Sequence, residues 1–165
     1  MELRHPHDPA SPAQLGFLKS LLYTRAVEEK WVAVANQRIE TGLDKENASK
    51  MIEWFKSQPA KDLGPDLARG VYIMPDGAIA AVRTSKTTGR PYAMKWTGRS
   101  YEFVGGWYNE VRATARPLPV EDAMKMGLDT GWCVICGKEL SDPKSLERGI
   151  GPVCYKSQAA LGGTP

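Results

Sequence analysis

Apolar residues recur at helical spacing through the first third of the chain. Leu15, Leu18 and Leu22 lie three to four residues apart, with Phe17 and Leu21 widening the stripe and Val27 continuing it. That spacing puts the side chains on one face of a helix. Ser11-Pro12 opens the helix, serine as N-cap and proline at the first helical position. Trp31, Val34 and Ile39 extend the apolar face beyond a break near 25–30, and Thr41-Gly42 stops it. Asp44 caps a second helix carrying Ala48, Met51, Ile52 and Phe55 to about Ser57. The pattern predicts a helical hairpin over 11–58, with its apolar residues as core. Residues 1–10 read as a flexible tail.

Two prolines and a glycine punctuate residues 59–69, which read as a linker. The period then changes to two. Segments 70–74 and 78–84 flank Pro75-Asp76-Gly77, a hairpin turn signal. Thr87-Thr88-Gly89-Arg90 and Thr97-Gly98-Arg99 mark two further turns. Between them Tyr92, Met94 and Trp96 alternate with Ala93 and Lys95, and Tyr101 and Phe103 repeat the alternation. A four-stranded antiparallel meander is expected, followed by a short helix at 120–126 ended by Gly127; the β module spans 70–127. The fold class is α+β: helical hairpin, small antiparallel sheet, and a C-terminal finger over 128–158 with a tail at 159–165.

The finger rests on Cys133-Val134-Ile135-Cys136-Gly137. Two thiolates with two residues between them can grip one tetrahedral ion, because the turn aims both sulfurs at one point. Gly137 suits the left-handed turn that closes such a knuckle. Cys154 follows Gly151-Pro152-Val153, and Pro152 can open a helix that carries it. A cysteine knuckle, a short hairpin and a helix bearing the third cysteine make the layout of a treble-clef finger holding Zn2+. Between them Asp142 caps a turn begun by Pro143 and ended by Gly149. The fourth ligand is open. Ser157, one turn after Cys154, is a poor zinc ligand. Asp142, Asp129, Glu139, His5 or His7, a partner chain or water remain, with Asp142 named as the candidate metal residue beside the three cysteines.

Charge adds one feature. Net charge is only +3, yet Arg83, Lys86, Arg90, Lys95 and Arg99 fall within seventeen positions that hold no acid. A cluster of this kind fits phosphate contacts, and the interleaved Tyr72, Tyr92, Trp96, Tyr101 and Phe103 could offer stacking surfaces. The same pattern also describes the inner face of a thin sheet with a solvated outer face. No stretch approaches the ~18 apolar residues a membrane span needs, and the N-terminus lacks the apolar run of a signal peptide. Three cysteines, an odd number, fit a reducing compartment. The cytoplasm is therefore expected. The chain has no zinc-deaminase pattern, Walker loop or Ser/His/Asp set, so no enzyme is expected.

The run from Thr130 to Ser145, containing Cys133-Val134-Ile135-Cys136-Gly137-Lys138-Glu139-Leu140-Ser141-Asp142-Pro143, and the closing Gly149-Ile150-Gly151-Pro152-Val153-Cys154 together resemble a family of uncharacterised finger domains common in bacteriophage and actinobacterial proteins. Ser141 stands where that family usually has threonine. Ser85-Lys86-Thr87-Thr88-Gly89-Arg90-Pro91-Tyr92-Ala93 is similar to the strand segment that precedes such fingers. The resemblance implies metal binding and a phage or mobile-element setting in a host cytoplasm, without a known activity. From the residues the leading expectation is a nucleic-acid-binding zinc-finger protein. The alternative is an adaptor or inhibitor that docks on a host protein through the helices and Trp107-Tyr108, with zinc only structural.

Overall fold

The computed structural model describes residues 5–157; residues 1–4 of the expected N-terminal tail, residue 158 of the finger and the tail at 159–165 lie outside them. The described chain forms two compact units. The first runs to Pro65 and takes in Gly105–Ala113; the second holds Asp66–Val104 and continues from Thr114. The chain thus leaves the first unit, builds most of a sheet, returns for one helix and leaves again.

The first unit contains α1 (Pro12–Thr24), α2 (Glu29–Thr41), α3 (Lys45–Ser57) and α4 (Trp107–Thr114) through Ala113. Ser11 and Gln14 form a reciprocal capping box, Ser11 Oγ accepting from Gln14 N–H at 3.2 Å and Gln14 Oε1 from Ser11 N–H at 3.0 Å. Asp44 accepts from Asn47 N–H at 2.7 Å to start α3. The expected hairpin is instead a set of three consecutive helices. Arg25 is extended and pairs with Ala60, and Ala26 N–H donates to the Pro59 carbonyl at 2.9 Å. Backbone groups that could have continued the helix are used across the unit.

Those bonds also change the reading of residues 59–69 as a linker. Lys61 N–H donates to Thr24 at 2.8 Å, and the Arg112 guanidinium donates to the carbonyls of Gly64 and Pro65. The segment is fastened to the unit through Pro65. The described part of the N-terminal tail is likewise held: Ala10 N–H donates to Leu43, Lys45 N–H to Asp8 and Glu46 N–H to Pro6. Leu18, Leu21, Leu22, Ala35, Ala48, Ile52 and Phe55 form the core. Phe17, Trp31 and Val34, expected inside, are substantially exposed.

The second unit is built on β1 (Gly70–Ile73), β2 (Ile79–Thr84), β3 (Pro91–Trp96), β4 (Tyr101–Phe103) and β5 (Arg116–Pro117). The meander forms as expected, and β5 adds to the free edge of β1, giving the antiparallel order β4-β3-β2-β1-β5. Val71, Ile79 and Trp96 project from the sheet into one core with Leu118, Ala123, Val134, Ile135, Leu140 and Ile150. Three helices complete the unit: α5 (Val120–Thr130), α6 (Pro143–Arg148) and α7 (Pro152–Lys156). Gly127 does not end α5. The helix continues to a left-handed cap at Gly131, and the glycine at 127 serves a close approach to Gly149 where no side chain fits.

Candidate metal centre

Residues 131–140 fold into a tight hairpin. Trp132 pairs with Glu139, Cys133 N–H donates to Lys138 at 2.8 Å, and Gly137 N–H donates back to the Cys133 carbonyl at 2.7 Å. Gly137 takes φ +74°, a conformation open to glycine at little cost. The third cysteine arrives by a separate route. Asp142 caps α6 behind Pro143, Gly149 ends it in the left-handed region, and Gly151-Pro152 immediately starts α7, whose first turn carries Cys154.

These elements bring the sulfurs of Cys133, Cys136 and Cys154 within 4.8 Å of one another. Thiolates bound to a single tetrahedral ion at ~2.3 Å stand roughly 3.8 Å apart, so the cluster could hold a metal ion after small side-chain movement. Cys133 and Cys154 are buried and Cys136 is exposed. The hydrogen bond from the Cys154 thiol lowers the Cys133 thiol from its ordinary value, against the opposing effect of burial, and backbone N–H groups of Gly151, Cys136 and Ile135 lower it further. The same hydrogen bond and burial push the Cys154 thiol up. The backbone N–H groups around Cys133 favour a thiolate there.

Asp142 lines the same cleft as the three cysteines but is not among the ligand atoms that lie within 4.8 Å of one another. Its Oδ2 accepts from Ser145 N–H and from Ser145 Oγ, both at 3.0 Å, which is the capping role its position in the sequence allows. Among the described residues no histidine or carboxylate joins the three sulfurs.

Residues 123–158 match a family of unknown function, DUF6011. The matched segment runs from α5 to just beyond α7 and so contains the whole cysteine cluster. No curated protein and no solved structure matches the chain.

The five cations of the sheet segment do not lie on one strip. Arg83 turns into the finger. Its guanidinium donates to the Ile135 carbonyl of the knuckle at 3.2 Å and to Val82 at 3.2 Å, and lies over the Tyr101 ring. Burial lowers its pKa, and the Arg69 charge nearby acts in the same direction. Lys95 stands opposite Glu102 in the β3–β4 register, on the face away from Trp96. Arg99 is in the β3–β4 turn, at the far end of the strands from Lys86 and Arg90 in the β2–β3 turn.

The aromatics also divide. Trp96 is buried with its ring 5.0 Å from that of Tyr101, whose hydroxyl donates to the Val134 carbonyl. Tyr92 is half-buried and sits edge-on to Phe103, which is 66% exposed. Arg83 faces Tyr92 across β2 and β3, and with Arg69 it lines a cleft that reaches Cys136 and Cys154. Arg69 lies outside the acid-free segment, but the β1–β2 register would place it opposite Arg83 if the ladder ran one residue further.

No helix among the described residues is long and apolar enough to cross a membrane.

Proposed function

We propose that the chain is a zinc protein whose treble-clef-like finger is fused to a sheet that binds single-stranded nucleic acid. Zinc is the metal that best suits a site of three converging thiolates on a knuckle and a helix start, since it favours tetrahedral sulfur ligation. Cys133, Cys136 and Cys154 would hold it, and the Arg83 guanidinium beside the knuckle would offset the negative charge of three thiolates.

One observation carries the nucleic-acid reading. On a single face of the sheet, toward the β2–β3 turn, exposed Phe103 lies edge-on to half-buried Tyr92, with Lys86 and Arg90 in the neighbouring turn. Aromatic faces beside cations suit stacked bases and a phosphate backbone. Anisotropy with a fluorescent single-stranded oligonucleotide tests it. The slope of log affinity against log salt should fall by about 0.7 for each of Lys86 and Arg90 replaced by alanine. Absence of salt-sensitive binding would end this reading.

A second reading, a protein adaptor, has its own support. Trp31, Val34, Met51, Trp54 and Phe55 line a cleft of about 350 Å³ between α2 and α3. Of its basic lining residues Lys50 is already paired with Glu46 at 2.6 Å, and Arg38 gives the cleft its positive side, so the occupant it fits is an acidic amphipathic helix. Arg38→Glu should abolish binding of an acidic leucine-rich peptide while leaving oligonucleotide binding unchanged.

A further inference from the structure

We infer that the metal's fourth coordination position is filled from outside the protein chain, by an exchangeable neutral donor: water at rest, displaced by an imidazole nitrogen when one is offered. The inference rests on the metal reading above.

Three observations lead to it. The cluster contains three ligand residues and, among the described residues, no fourth histidine, cysteine or carboxylate. A stable structural zinc site closes with four protein ligands, whereas three ligands and an open position mark a site where the metal meets an outside molecule.

The carboxylates that share the cleft are not among the converging ligand atoms. Cys133, Cys136 and Cys154 together line a cleft of about 420 Å³ with Glu139, Ser141, Asp142 and Ser145. Asp142 is committed to Ser145 through two hydrogen bonds at the start of α6; moving it to a metal would uncap that helix. Glu139 is exposed and fixed by its backbone in the hairpin pair with Trp132.

Charge selects the class of donor. A divalent ion with three thiolates carries one net negative charge, and the Arg83 guanidinium donating to the Ile135 carbonyl is placed to offset it. A fourth anionic ligand would add a second negative charge beside buried Cys133 and Cys154, which Lys138 and Arg69 at the adjoining clefts would have to offset. Water or imidazole adds none.

Cobalt(II) reports its own coordination in the visible spectrum and tests this on the full chain. The metal-loaded protein should show bands that shift saturably as imidazole is added. Asp142→Asn, which keeps an oxygen for the cap, and Glu139→Gln should give the same starting spectrum and the same shift. Bands unmoved by imidazole would overturn the inference, as would a starting spectrum altered in either variant, since each means that the chain closes the site itself. A spectrum that depends on protein concentration would assign the position to a second copy and also overturn it. Failure to bind cobalt or zinc at all is a different result: it removes the metal reading on which the inference stands.

Discussion

Gly127 in α5 meets Gly149 at the end of α6 backbone to backbone. A Cβ on Gly127 would stand 1.7 Å from the Gly149 carbonyl oxygen, and one on Gly149 would stand 1.8 Å from the Met124 carbonyl oxygen. This contact fixes the loop that leads through Ile150 into α7 and so sets where Cys154 can sit. Alanine at 127 would gain about 1 kcal/mol of helix propensity. It would lose more through overpacking, typically about 1–3 kcal/mol and here against rigid backbone. Gly127→Ala should therefore destabilise the metal-loaded chain in a denaturant titration and weaken metal retention. A variant as stable as the natural chain would mean that the two backbones do not approach this closely.

Trp96 and Phe103 should behave as opposites. Trp96 belongs to the core beneath the knuckle, so Trp96→Ala is expected to cost about 3–5 kcal/mol of stability. Phe103 is mostly exposed, and Phe103→Ala should leave the melting temperature nearly unchanged. On the proposed function it removes about 1–3 kcal/mol of oligonucleotide affinity. Differential scanning calorimetry and anisotropy on the two variants separate the roles.

Cys136→Ser removes one of three converging thiolates. On the proposed metal reading, where binding energy is largely folding energy, the variant should fail to retain zinc during purification and lose protection from hydrogen exchange across residues 131–156. Elemental analysis decides it: near one equivalent in the natural chain, and well below that in the variant. Equal zinc in both would remove Cys136 from the ligand set.

Tyr23 gives the first unit a pH dependence. Burial pushes its hydroxyl up to about 12, and Glu110 adds to the shift by charge and by accepting its hydrogen bond. A folded-state pKa above the unfolded value of 10.0 contributes stability that is full below pH 10 and lost as pH rises through about 12. The helical unit should therefore loosen in that alkaline window. Glu110→Gln should lower the Tyr23 midpoint, read from phenolate absorbance, without returning it to the ordinary value, because burial is the larger cause.

Local chemistry was legible where it was strong. Ser11-Pro12, Asp44, Asp142-Pro143 and Gly151-Pro152 each start a helix as their residue types dictate, and the turn signals delimit the four meander strands. What escaped depended on contacts distant in sequence. Gly127 reads as a stop because glycine disfavours helix, and nothing nearby reveals Gly149 against it. α4 has no clear signal in the sequence, because Gly105-Gly106 reads as the start of a loop. The pair is there for close approach: a Cβ on Gly106 would stand 1.9 Å from the Gly16 carbonyl oxygen. Trp107 and Tyr108, expected as an exposed contact surface, are half-buried on that helix. Arg83 reads as a surface cation, because β2 is buried on both faces and its parity alone does not say which face a residue takes; what turns it inward is the Ile135 carbonyl, fifty-two residues away.

The return of residues 105–113 to the first unit has a consequence for synthesis. The ribosome delivers α1, α2 and α3 first, yet their unit stays incomplete until four strands belonging to the other have been made. At ~5–20 residues per second the interval is on the order of seconds, long enough for the hairpins of β1 to β4 to pair before α4 emerges. The second unit must wait in turn for Cys154. Neither unit can finish before the other has begun, so a nascent chain halted anywhere between them carries two partial folds rather than one complete domain.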